Sequence, residues 1–237
     1  TEACVDPRDA IARLPEHLAR RHGVAFRFGC AVLGADLPEV RTSEGTIRAP
    51  RLYVCTGHDT RALFPDAYAG GGLRPCKLQM MRTRPQPAGW RLGPMLAAGL
   101  TLGHYEGFRD CPSLPGLLRR FADTLPEYGR WGIHVLVSQT EAGALTLGDS
   151  HEYGDAVTPF DRPEIDALIL AYLGRFFDAP SMEIAERWHG IYLKGDGPWF
   201  VARPAPGVTA VTGLGGAGMT LSMGLAERVV ARDEEGE

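Results

Sequence analysis

The stretch "VTAVTGLGGAGMTLSMGLAERVV", residues 208–230, carries glycines at 213, 215 and 218. This is the G-x-G-x-x-G spacing of a loop that cradles a dinucleotide pyrophosphate. Spacing alone does not decide the matter. A pyrophosphate loop sits on a helix N-terminus inside a βαβ unit, so it needs a strand before it, a helix after it, and a further strand whose acidic residue reaches the ribose. Val208–Thr212 reads as a buried strand, and Leu221, Leu225 and Val229 recur at the four-residue spacing of a helix face. Asp233 and Glu234 stand at about the right distance for the ribose contact, but they belong to an acidic tail with no strand pattern. The stretch is a strand, a glycine turn and a helix, without the closing strand of a dinucleotide unit.

Working back toward the N-terminus, "VDPRDAIARLPEHLARRHG" opens as a helix should, with Asp6 before Pro7 and Asp9 three residues after Asp6. Pro15 removes a helical hydrogen bond, so a kink or restart is expected before the stop at Gly23. "VAFRFGCAVLGAD" and "TIRAPRLYVCTG" read as strands, the second ending at a turn on Gly57. After the glycine-rich joint "AGGGLRP" the character changes. "CKLQMMRTR", "PMLAAGLTLGHY", "HVLVSQTE" and "ALTLGDSHEYG" are strand candidates separated by turn signals, the pattern of a mostly antiparallel sheet. Two helices interrupt them: "LPGLLRRFADTL" and the stronger "DRPEIDALILAYLGRFF". In the latter, Asp161 and Glu164 form an expected capping box, with Ile165, Leu168, Ile169, Tyr172, Leu173 and Phe176 on the inner face.

The expected architecture is therefore α/β: a parallel-sheet domain with an inserted, mostly antiparallel α+β domain. Residues 1–72 form part of the first domain, 73–197 the insertion, and 198–237 a strand and helix that return to the first. The composition is that of a globular chain of 237 residues, with 44% hydrophobic and 23% charged residues. A net charge of -4 argues against a nucleic-acid surface. No run approaches the roughly 20 apolar residues of a membrane span. The N-terminus carries no secretory pattern, and the five cysteines are odd in number with no C-x-x-C pair, so a reduced, cytoplasmic setting is expected. The seven histidines show no ligand spacing, and no metal is expected.

Three stretches together carry a resemblance: "VDPRDAIARL", "EGTIRAPRLYVCTGHDTRAL" and "ARPAPGVTAVTGLGGAGMTLSMGLA". In order and spacing they resemble the FAD-dependent oxidoreductases of the D-amino-acid oxidase type, which include glycine oxidase, sarcosine oxidase and D-amino-acid dehydrogenase. In that family the pyrophosphate-binding G-x-G-x-x-G lies near the N-terminus, before the "VDP" helix, so the resemblance implies a chain lacking the first βαβ unit. A fragment of this kind is expected to bind FAD poorly by itself.

The resemblance also assigns residues. It sets the backbone of Val32 against the adenine and the Thr56–Gly57 turn beside the cofactor. It wraps Gly213, Leu214, Gly215, Gly216 and Gly218 around the flavin, with Met219 and Thr220 facing the ring or the substrate. The physical role of such a loop is to aim backbone N–H groups and a helix N-terminus at the flavin edge where negative charge develops. On the substrate side this chain departs from the family: the arginine of D-amino-acid dehydrogenases and the lysine of sarcosine oxidases are replaced, the latter by Thr220. Tyr192 and Lys194 are the nearest polar substitutes, and Arg82, His104, His151 and Lys77, expected on strands of the antiparallel sheet, are further sources of positive charge.

The implied reaction is hydride transfer from the carbon bearing an amine to flavin N5, followed by imine hydrolysis. The substrate is a small amine: an amino acid, an N-alkyl amino acid or an aminophosphonate. Oxygen or another acceptor takes the electrons, and no dedicated catalytic base is named. The alternative from another class is a non-catalytic α/β ligand-binding or subunit protein.

Overall fold

The computed structural model describes residues 4–235. In chain order, the first elements are α1 (Pro7–His22), β1 (Val32–Asp36), β2 (Glu39–Thr42), β3 (Gly45–Arg48) and β4 (Leu52–Val54). The middle holds β5 (Arg74–Pro85), β6 (Leu96–Ala97), α2 (Leu114–Thr124), α3 (Pro126–Arg130), β7 (Leu136–Gln139), β8 (Ala144–Gly148), β9 (Glu152–Tyr153) and α4 (Pro163–Leu173). The chain continues through β10 (Ile184–Lys194), β11 (Phe200–Ala205), β12 (Val208–Thr212) and α5 (Gly218–Glu235). Two compact units result. Among the described residues, one holds residues 4–6 and Cys76–Ile191; the other holds Pro7–Pro75 and residues 192–235.

In the second unit β12 is the middle strand of the order β11-β12-β4. It runs antiparallel to β11 and parallel to β4, with Val208 opposite Leu52 and Ala210 opposite Val54. A strand paired on both edges and covered on both faces should be apolar or small at nearly every position. Accordingly Val208, Thr209, Ala210 and Thr212 are all buried. Val54, Tyr68, Val208 and Ala210 form the core there, packed by Leu52, Leu73 and Phe200. β1, β2 and β3 make a separate antiparallel meander. The residues before it, expected to begin a strand at Val24, become one only at Val32. α1 runs without a break through Pro15, which removes the one bond to the carbonyl of Ile11 and does not end the helix. It buries no residue, and Ile11 and Leu14 stay exposed.

The first unit contains the sheet of order β10-β5-β8-β7-β6, with β9 beside β5. The pairs β5·β8, β7·β8, β6·β7 and β5·β9 are antiparallel. Period-two alternation along β5 buries Lys77, Gln79, Met81 and Thr83 on one face. Met81 joins Val135, Val137, Leu145 and Leu147 against Ile165, Ile169 and Leu173 of α4.

The start of α4 differs from expectation. Arg162 is its N-cap residue, and its N–H is taken by Gln79 Oε1 at 2.7 Å, while Gln79 Nε2 donates to the Arg162 carbonyl and to Asp166. Asp161 does not cap the helix. It accepts from Lys77 Nζ at 2.9 Å and lies 2.8 Å from His189 Nδ1. Lys77 is fully buried, so its ammonium requires this carboxylate and the Phe160 carbonyl. Phe176, expected on the inner face, lies past the helix end and is exposed.

Candidate functional site

The glycine loop of residues 213–218 joins β12 to α5 in the second unit. Its glycines have different physical duties. Gly213 has φ +73°, and a Cβ there would come within 3.0 Å of Leu73 Cδ2 and 3.2 Å of Phe200 Cβ, so packing and conformation both demand glycine. Gly215 has φ +59° and opens a short 3-10 turn ahead of the helix. At Gly218, the first residue of α5, a Cβ would meet nothing within 4 Å, and its φ of -54° suits any residue. Neither crowding nor backbone strain in this chain accounts for that glycine.

The turn after β4 is tied to the loop. Thr212 Oγ1 donates to the Gly57 carbonyl at 2.7 Å, and Thr56 Oγ1 donates to the Asp59 carbonyl. Gly57 has φ +65° and, like Gly218, has open space where a Cβ would stand. On another side, Lys194 and Leu214 form an isolated antiparallel bridge, and the Tyr192 ring lies against Gly215 and Gly216, its hydroxyl 3.8 Å from where a Gly216 Cβ would be. Thr56, Gly57, Lys194, Gly216, Met219 and Thr220 are exposed. The fold thus brings Thr56, Gly57, Tyr192, Lys194 and the loop into one neighbourhood, with the N-terminus of an 18-residue helix opening from it. Val32 stands apart at the start of β1, in the meander.

Arg82 and His151 belong to the first unit. Arg82, on β5, lies 3.6 Å from the Asp6 carboxylate and over the Trp188 ring. His104 and His151, expected on strands, are not in strands. His104 closes a 3-10 turn over Gly99–Gly103, and His151 follows β8. The turn forms because the Thr101 hydroxyl donates back to the Ala98 carbonyl, offering the backbone an alternative to a ladder.

These two histidines meet His134. The His104 and His134 rings stack at 3.9 Å between centroids, and those of His134 and His151 at 5.0 Å. Asp149 Oδ1 is 3.1 Å from His134 Nε2, and Asp149 Oδ2 is 3.9 Å from His151 Nε2. Burial, with His104 and His151 alongside, pushes the His134 imidazole down to about 2, so it is neutral across the physiological range. Burial pushes the Asp149 carboxyl up to about 7. The contact between them is accordingly not a pair of full charges. No motif spacing could have signalled this cluster, because its members come from three separate segments.

The family of FAD-dependent oxidoreductases called DAO matches residues 1–232 of the chain. The chain belongs to this family. FAD is the cofactor of its members. The fold agrees with solved structures at low identity. L-proline dehydrogenase from P. horikoshii is 18% identical, with a TM-score of 0.65 over 92% of this chain and 52% of its own. Glycine oxidase from Bacillus cereus is 15% identical, with a TM-score of 0.55 over 81% of this chain and 46% of its own. NikD, an unusual amino acid oxidase essential for nikkomycin biosynthesis, is 14% identical, with a TM-score of 0.56 over 88% of this chain and 52% of its own. The chain thus spans about half the length of these structures. No curated protein sequence matches it. Among the described residues, no helix is long and apolar enough to cross a membrane.

The neighbourhood of the glycine loop fits an aromatic cofactor. Among the described residues nothing stands within 4 Å of where a Cβ of Gly57 or Gly218 would be, and the N-terminus of α5, the positive end of its dipole, lies at the loop.

Proposed function

We propose that this chain is the flavin-proximal part of an oxidoreductase that oxidises a C–N bond of a small amine or amino acid. The observation that carries the reading is Gly218. A glycine at a helix N-terminus that neither φ nor packing requires leaves room for a flat ligand to lie against it. The N–H groups of the loop and the first turn of α5 supply positive potential at the edge of that ligand, fixed in advance by the Thr212–Gly57 bond and the Lys194–Leu214 bridge. Tyr192 and Lys194 stand beside the loop, one offering a hydroxyl and the other a positive charge to an acidic substrate group. Val32 contributes only main chain, toward the adenine end. Bound FAD would supply the acceptor for a hydride leaving the carbon that bears the amine, and the imine left behind would add water to give a carbonyl compound and ammonia or an alkylamine.

The exposed apolar residues Ile11 and Leu14 of α1, with Phe26 and Phe28 after it, are surface that a pyrophosphate-binding βαβ unit would cover. The activity therefore belongs to a protein containing such a unit. The substrate class includes those named for the related structures, proline and glycine, as well as N-alkyl amino acids and aminophosphonates. The test is direct: the full-length protein is purified and its flavin spectrum followed anaerobically while these amines are added. Bleaching by one class identifies the substrate. A colourless protein that takes up no FAD overturns the reading in favour of a non-catalytic ligand-binding chain.

A further inference from the structure

We propose that His104, His134 and His151 bind one divalent transition-metal ion of the zinc class, with Asp149 as the carboxylate that orients His134. Each histidine offers one ring nitrogen, and the three atoms lie within 4.8 Å of one another. Two nitrogen donors on a single tetrahedral ion at the usual bond length stand about 3.4 Å apart. Closing the difference takes a side-chain movement of about one ångström, without a change of fold.

The second sphere is already in place. The Gly132 carbonyl lies 3.0 Å from His151 Nδ1 and directs the lone pair of that ring to Nε2. Asp149 lies 3.1 Å from His134 Nε2, and His134 Nδ1 is buried with no hydrogen-bond partner. The His134 side chain is 4% exposed, so an unpaired ring nitrogen there is costly unless something satisfies it. Asp149 Oδ1 is likewise buried without a hydrogen-bond partner, so a small reorientation of the His134 ring would give the carboxylate–imidazole contact on one nitrogen, with the other free to ligate, that metal-ligating histidines adopt.

The donor set selects the ion. Three imidazoles suit zinc, copper, nickel or cobalt, whereas magnesium and calcium require oxygen ligands. Access is through a cleft of ≈400 Å³ that His104 and His134 line together with Leu100, Leu118, Phe121 and Tyr128. His104 is the partly exposed member, and its ring, now stacked on His134, turns its edge toward the ion on binding. Three imidazole ligands leave at least one coordination position for water or another small ligand. The sequence reading expected no metal, since the three histidines share no motif.

The test uses the untagged chain, stripped with a chelator, desalted and titrated with Zn²⁺ and with Co²⁺. One equivalent of each binds, and bound Co²⁺ acquires the visible absorption of a nitrogen-ligated site. His104→Ala lowers the affinity at least tenfold, and Asp149→Asn lowers it roughly 10- to 100-fold. Both variants are compared with the parent chain by circular dichroism to show that they fold. X-ray absorption at the zinc edge of the unmutated protein gives the scattering of about three imidazoles, a readout that no variant affects. Sub-stoichiometric binding, affinity unchanged in His104→Ala, or a zinc shell without imidazole each overturns the proposal.

Discussion

The glycine loop and the histidine cluster solve opposite problems. The loop, with residues that lie within six positions of one another, leaves open the space proposed for a ligand, using two left-handed glycines and a tie from Thr212 to Gly57. The cluster closes polar groups into the interior with residues drawn from the end of a 3-10 turn, the segment before β7 and the segment after β8, with Asp149 beside His134 and the Gly132 carbonyl on His151. Backbone conformation governs the first, and desolvation the second. A side chain is absent at no cost in packing where Gly218 stands, whereas a polar group buried in the first unit without a partner, as His134 Nδ1 is, carries a desolvation cost.

That contrast can be broken experimentally, and the largest effect is expected at Gly213. Valine there meets Leu73 and Phe200 and adopts an unfavourable φ, so Gly213→Val is expected to destabilise the chain by about 3 kcal/mol in urea unfolding. Near-parental stability would mean that the turn is not built by crowding. Next is Gln79→Ala in the first unit. It strips the Arg162 N–H of its acceptor and removes the Gln79 donor from Asp166 Oδ1, while Arg187 stays on Oδ2, with an expected loss of about 2 kcal/mol by the same measurement.

A smaller, pH-dependent effect is expected at Asp161. Burial pushes its carboxyl up, but hydrogen bonds from Lys77 and His189 outweigh this and hold it below the usual carboxylate value. The folded state therefore binds the proton less readily than the unfolded chain. The stabilisation is present above about pH 4 and is lost as pH falls through the folded value. Asp161→Asn should cost about 1 kcal/mol at neutral pH, discounted for an exposed carboxylate, and the gap from the parent should shrink in acid. A gap independent of pH would assign the effect to packing instead of charge.

The smallest stability change, within about 0.5 kcal/mol, is expected for Gly218→Ala, which meets nothing. The same substitution in the full-length protein should weaken FAD retention measurably by flavin absorbance after dialysis. Unchanged retention would remove Gly218 from the proposed site and sharpen the contrast with Gly213 and Gly215, whose positive φ requires glycine.

Local pattern made much of the fold legible. The burial of Ile165, Ile169 and Leu173 follows from helical spacing, and the alternation along β5 follows from the two-residue strand period. The loop itself was legible because glycine reports backbone conformation directly. Elsewhere the pattern misled. "PMLAAGLTLGHY" has strand-like composition but pairs only at Leu96–Ala97, because Thr101 bonds the Ala98 carbonyl and starts a 3-10 turn. Asp161 matches a capping box by spacing, but the buried Lys77 ammonium competes for its carboxylate and Gln79 takes over the helix end.

The sequence by itself determined the strand, glycine turn and helix of residues 208–230, the antiparallel middle, and the family to which the chain belongs, since these rest on local conformation and order along the chain. Only the tertiary structure decided which polar groups meet. The Lys77–Asp161 pair, the Gln79 cap and the His104–His134–His151 cluster join distant segments, and each forms around a buried member, Lys77, Gln79 or His134, that burial removes from water.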